Sequence, residues 1–277
     1  VKSLVTLSLF ALVTLSSCAH AQPTTRAITE LDPAIPESSG AIPSRRNPDL
    51  FWTHNDSGNP PELFAVDRKG HVVAKVTVAA KNHDWEDIAA DAEGRVYIAD
   101  IGDNAGQRKS VFVYRLPEPD AAHPPAGPVA VERTWELVYP DKPIDAEALF
   151  IRGDFGFVID KRRDFGHARL FRFPLDAPAG QPVKLEHVAD FAFRNPVTAA
   201  DCTPDGKRLA VLSVGGWFVF DLADDPKQPA GFSMTVEAQD LFTDIHAEAI
   251  CFDGPDGLLI TSESRRMTWV KLPKRGP

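Results

Sequence analysis

Apolar, β-branched and aromatic residues fall along this chain in short runs, broken by turns rich in Gly, Pro, Asn and Asp. The runs recur in groups. The first group is SSGAIPS (38–44), LFWTH (50–54), ELFAVD (62–67) and HVVAKVTV (71–78), with turns at Asn55-Asp56-Ser57-Gly58 and Arg68-Lys69-Gly70. The second is HDWEDIAADAEGRVYIAD (83–100), VFVYRL (111–116) and VERTWELVY (131–139), interrupted by a Pro-rich surface loop over 117–128. The third is IDAEALFIRGDFGFVID (144–160), ARLFRFPL (168–175) and VKLEHVADF (183–191). The fourth is VTAADCTPDGKRLAVLS (197–213), WFVFDL (217–222) and FSMTVEA (232–238), and the fifth is HAEAICFDGPDGLLITSE (246–263) and MTWVKL (267–272). Runs of this length and make-up predict strands and tight turns. The 24 prolines argue against long helices.

Near the head of each group stands a polar or acidic residue: Ser39, Glu86, Glu147, Thr198 and Glu248, at spacings of 47, 61, 51 and 50 residues. A period in this range marks propeller blades. The reading is an all-β, five-bladed β-propeller; six blades would need a further unit hidden near 100–145. The fifth group lacks an outermost strand, and RAITEL (26–31) has no blade of its own. The N-terminal strand therefore closes the ring by completing the last blade, leaving short, protected edges.

Ahead of the propeller, Lys2 precedes an apolar run over 4–15 that is too short to span a bilayer as a helix but suits a secretory signal. Two processing sites compete: Leu15-Ser16-Ser17-Cys18 resembles the bacterial lipobox, and Ala19-His20-Ala21 the small-x-small site of ordinary cleavage. The expected layout is a signal over 1–17, a short tether over 18–25 and a single domain over 26–277. The protein is then exported in a bacterium, periplasmic or lipid-anchored to the outer membrane. A net charge of −9 gives no footprint for nucleic acid and disfavours anionic lipid, so membrane attachment rests on lipid at Cys18. We expect a monomer with a small anionic substrate or ligand. Cys202 and Cys251 fall in inner strands of the last two blades, where they form a disulfide or two buried thiols.

In a propeller, the inner strands begin on the face that also carries the turns between second and third strands. That gathers Ser39, Glu86, Glu147, Thr198 and Glu248 at one mouth, beside HNDSG (54–58), DIGDN (100–104), DKRRD (160–164), SVGG (213–216) and ESRR (263–266). Three carboxylates and two hydroxyls form an all-oxygen set suited to a hard cation, and Ca2+ fits a wide ring better than magnesium or zinc. The competing reading is strand capping. Arg162, Arg163, Arg265 and Arg266 share that face, as phosphate clamps or as solvated surface. Asp56 and Asp103 are candidate general bases or turn residues. Trp85 reads as inter-blade packing, and His54, His83 and His246 as structural histidines. The sequence has no GxSxG elbow, Walker loop, Rossmann glycines or HExxH helix.

The order Ser, Glu, Glu, hydroxyl, Glu at the inner-strand starts resembles the calcium-activated nucleotidase (apyrase) family, a five-bladed propeller with one central calcium. LFWTHNDSG (50–58) is similar to that family's strand and Asp-Asp-Arg-Thr-Gly turn, DWEDIAADAEGRVYIADIG (84–102) to its Glu-Trp-Leu-Ala-Val segment, and DAEALF (145–150) to its His-Glu-Ser motif. The resemblance implies Ser39, Glu86, Glu147, Thr198 and Glu248 as calcium ligands, with Asp56 and the arginines, Arg162 and Arg265 among them, near the substrate of a calcium-dependent phosphohydrolase. DWEDIA and DIGDN also resemble exported bacterial phytase-like or esterase-like propellers. A calcium-dependent lactonase or esterase using Asn55, Asn82 and Asn104, and a non-enzymatic lipid-anchored scaffold, are the alternatives.

Overall fold

The computed structural model describes residues 24–164 and 166–273. The signal and lipidation expectations at 1–17 and Cys18 lie outside them. Strand β1 (Thr24–Glu30) precedes blade one, which is β2 (Ser38–Pro43), β3 (Leu50–Asn55), β4 (Glu62–Asp67) and β5 (Val72–Thr77). Blade two is β6 (Trp85–Ala90), β7 (Arg95–Asp100), β8 (Val111–Pro117) and β9 (Arg133–Val138). Blade three is β10 (Ala146–Arg152), β11 (Phe155–Asp160), β12 (Arg169–Pro174) and, beyond the short β13 (Val183–Lys184), β14 (Glu186–Asp190). Blade four is β15 (Val197–Cys202), β16 (Arg208–Ser213), β17 (Gly216–Asp224) and β18 (Phe232–Leu241). Blade five is β19 (Ala247–Phe252), β20 (Gly257–Ser262) and β21 (Arg266–Lys271).

The fold is the expected five-bladed propeller. Strand β1 pairs antiparallel with β21, from Thr24 opposite Lys271 to Glu30 opposite Arg266, so the N-terminal strand closes the ring. The inner strands β2, β6, β10, β15 and β19 pack against one another in succession around the axis. The expected strand over 183–191 is two strands. Its first two residues, β13, add in parallel to β9 of blade two, and Leu185 turns between them into the blade two–three core. Burying that leucine in the gap between blades breaks the strand and ties blade three to its neighbour.

Five apolar clusters fill the five gaps between blades. Each sheet face must be covered by the next blade, because alternate side chains point to opposite faces and both faces carry apolar residues. Trp52 and Trp85 are fully buried in the gap between blades one and two. Trp85 donates from Nε1 to the Lys81 carbonyl at 2.8 Å and meets His54 edge-on, at 5.6 Å between ring centroids. This is the packing role its sequence context suggests. Cys202 and Cys251 are buried free thiols in separate clusters.

Candidate cation site at the channel mouth

Every inner strand begins with the same irregularity. The pairing register slips between Ser38 and Gly40, Trp85 and Asp87, Ala146 and Ala148, Val197 and Ala199, and Ala247 and Ala249. The residue passed over is Ser39, Glu86, Glu147, Thr198 and Glu248 in turn. A bulge leaves its extra residue out of the ladder and re-aims its side chain. All five sequence-marked residues therefore occupy one equivalent position, repeated around the mouth. A second repeat seals it. The backbone N–H groups of Asp56, Gly102, Lys161, Val214 and Glu263, at the starts of the turns, bond the carbonyls of Glu37, Asp84, Asp145, Pro196 and His246 before the inner strands.

The carboxylates crowd into two overlapping groups: Asp56, Asp84 and Glu86, and Glu86, Asp145 and Glu147, with ligand atoms within 4.8 Å of one another in each. Glu86 is 5% exposed and belongs to both. Burial pushes its carboxyl well above the usual range, helped by the nearby charges of Glu147, Asp56 and Asp84. Burial likewise raises Glu147, Asp56 and Asp84, and lifts Glu248 to about 7. Space for this crowding comes from Gly102: a Cβ there would sit 2.1 Å from Glu86 Oε1 and 2.5 Å from Asp84 Oδ2.

Lys161 enters the same space. Its ammonium bonds Glu147 and lies 3.9 Å from Glu248. Although burial opposes its charge, Glu147, Glu248 and Glu86 hold its pKa above the ordinary lysine value. Arg163, more exposed, stands 3.4 Å from Asp145 and 3.7 Å from Glu147 and donates to Asn104 Oδ1 at 2.5 Å.

The other marked residues spread out from this centre. Thr198 is buried and donates to the Ala247 carbonyl at 3.0 Å, a bond between blades. Ser39 is buried at its bulge. Asp103 accepts from the backbone N–H groups of Gln107 and Arg108, both at 2.9 Å, so it closes its own turn. Arg162 is paired with Asp164 at 2.7 Å and Arg265 with Glu30. The asparagines serve the backbone: Asn55 bonds Glu37 N and the Ala34 carbonyl, and Asn82 bonds Trp85 N and the Asp56 carbonyl.

Three residues central to the site escaped the sequence reading. Asp84 and Asp145 each sit two residues before a bulge Glu, in Asp-Trp-Glu and Asp-Ala-Glu, and that repeated spacing was their signal. Lys161 holds in blade three the place that Asp56 holds in blade one and Glu263 in blade five, the first turn residue after the second strand. Further down the channel, Asp87 follows the blade-two bulge where the other blades carry Gly40, Ala148, Ala199 and Ala249. Its buried Oδ2 accepts from Leu149 N at 2.9 Å and Ala200 N at 3.1 Å, tying blade two to blades three and four. Innermost strands are sheet edges with unpaired N–H groups, and a carboxylate among small residues satisfies them.

No protein-family model and no curated protein matches the chain. Among solved structures it is similar to a chain in the crystal structure of the mitotic checkpoint complex, at 9% identity and a TM-score of 0.43, over 82% of this chain and 60% of that one.

Proposed function

We propose that this chain is a calcium-dependent propeller hydrolase whose channel mouth holds the cation and whose substrate is a phosphate ester or anhydride. The observation that carries the reading is the five-fold repeated bulge, which turns Glu86, Glu147 and Glu248 toward one mouth beside Asp56, Asp84 and Asp145. The donors fit a hard cation. All are oxygens, they carry more negative charge than Lys161 and Arg163 offset, and the Gly102 cradle keeps room between Glu86 and Asp84. Bound there, calcium supplies Lewis acidity toward a phosphoryl oxygen and a bound water that loses its proton more easily.

The protein's own groups supply the rest. Asp56 is half-buried at the edge of the cluster, among the carboxylates that would hold the cation. Arg163 is the exposed cation nearest the carboxylates and neutralises an incoming phosphate at the rim. Arg162 and Arg265 contribute by exchanging Asp164 and Glu30 for phosphate oxygens.

A second reading is favoured by Lys161. A buried ammonium among the glutamates already neutralises part of the cluster, as a scaffold locking blades two, three and five would need. The test is calcium titration by calorimetry after chelator treatment, with phosphate release measured on nucleotide and phytate panels. Binding with turnover supports the hydrolase; binding without turnover leaves the scaffold. Absence of binding removes both the calcium and the hydrolysis built on it. In the hydrolase, Arg162→Ala and Arg265→Ala lose phosphate release and keep calcium affinity; unchanged turnover in both removes them from the substrate site.

A further inference from the structure

The two carboxylate groups at the mouth differ in what neutralises them. Glu147 is bonded to the Lys161 ammonium, which also faces Glu248, and Asp145 and Glu147 face Arg163. Asp56, Asp84 and Glu86 make no ion pair among the described residues. Glu86 is more than nine-tenths buried, and its carboxylate has no hydrogen-bond partner among them either. It is aimed with Asp84 into the space over Gly102, where even a methyl group would collide with both. Like charges a few ångströms apart repel, and several-fold more strongly in a partly buried site than in water. That repulsion is met by direct ion pairs on the Glu147–Glu248 side, whereas on the Asp56–Asp84 side it is eased only from a distance, by Lys161 toward Glu86 and Asp56 and by Arg108 toward Asp84.

The two hydroxyls expected to complete a ring about the axis are those of Ser39 and Thr198. Thr198 is buried and donates to the Ala247 carbonyl of blade five, which fixes its side chain between blades. A cation on the axis would also have to lie beside the Lys161 ammonium. The geometry points to an off-axis site for one hard divalent cation, held by Asp56, Asp84 and Glu86 over Gly102, with Lys161 as the permanent counter-charge of Glu147 and Glu248. The inference rests on the proposal of a cation at the mouth and specifies its ligands. Ser57, in the blade-one turn, donates its backbone N–H to Asp56 and orients that carboxylate, while its hydroxyl faces Asp84. Calcium suits this site because it accepts a flexible all-oxygen set at longer distances, whereas magnesium demands a near-ideal octahedron.

The experiment is calorimetric titration of the chelator-treated chain with calcium chloride, comparing Asp84→Asn with Glu248→Gln. Asp84→Asn is expected to weaken calcium about tenfold or more, because affinity follows the ligand charge count, and Glu248→Gln to leave it within about threefold. Melting in chelator separates lost ligation from lost folding: Asp84→Asn should melt no lower than wild type, since a repelling charge has gone. Should it melt early, Asp56→Asn supplies the same comparison. Glu248→Gln weakening calcium as much as Asp84→Asn places the cation on the axis and overturns the inference, as does wild-type affinity in Asp84→Asn; both leave calcium binding itself intact. A wild-type chain that binds no calcium instead overturns the functional proposal, and this inference with it.

Discussion

The ammonium of Lys161 bonds the carboxylate of Glu147, joining the turn after the second strand of blade three to the bulge of that blade's own inner strand. Through the same ammonium blade three also faces Glu248 of blade five. The mouth thus contains a cation that belongs to the protein, and its removal has a defined cost. Breaking a buried pair leaves an uncompensated charge, at about 3–5 kcal/mol. Lys161→Met is expected to lose stability of that order at pH 8 in chelator, and distinctly less at pH 5, where the glutamates accept protons. Urea unfolding at the two pH values checks this; equal losses at both would show that Lys161 acts through packing.

Wild-type stability should itself fall as pH rises. Glu248 and Asp201 are both pushed up to about 7 by burial, and Glu86, Glu147 and Asp87 are raised as well. An acid whose folded pKa lies above its unfolded value, near 4, holds its proton more tightly when folded. Its contribution is full below pH 4 and is lost as pH climbs to 7, on the order of 3 kcal/mol for Glu248 alone. In chelator, the melting temperature should therefore be higher at pH 5 than at pH 8. Calcium should narrow the difference by replacing protons. A flat profile in chelator would contradict the burial of these groups.

Asp87→Ala removes the acceptor of three backbone N–H groups, those of Ile88, Leu149 and Ala200. An orphaned buried donor costs about 1–3 kcal/mol, so a loss of about 3 kcal/mol or more is expected. The opposing term is the raised pKa of the carboxyl, which makes burial of Asp87 itself unfavourable as a charge. Denaturant unfolding decides between them, and an unchanged midpoint would mean that the two cancel.

Gly102→Ala tests the cradle. A Cβ 2.1 Å from Glu86 Oε1 forces the carboxylate aside. Calcium affinity should drop by about tenfold, as expected when a charged ligand is displaced. Calorimetry on this variant with an unaltered titration curve would move the cation away from Glu86.

Much of this arrangement is written in the order of residues. The spacing of Ser39, Glu86, Glu147, Thr198 and Glu248 identifies the blades, and the orphan strand before blade one matches the strand missing from blade five, because a ring must close its edges. Asp84 and Asp145 each stand two residues before a bulge glutamate, but they escape a reading of the inner-strand starts, and only the register slips at Glu86 and Glu147 bring them into the cluster. Leu185 was less legible: a continuous apolar run reads as one strand, whereas the gap between blades two and three takes the leucine and divides it.

What the sequence determined by itself was local and periodic: strand length, turn position, blade count, and which residues head each inner strand. Which of those residues meet, and what neutralises them, was decided by the tertiary structure. Bulges and ring closure bring side chains from different blades within a few ångströms of one another, and burial then makes each charge depend on its neighbours. In the sequence, Lys161 is one of three consecutive cations, Lys161-Arg162-Arg163. In the fold its ammonium is drawn into the buried glutamates while Arg162 pairs with the more exposed Asp164 of its own turn, a partition that depends on which carboxylates burial and ring closure bring within reach.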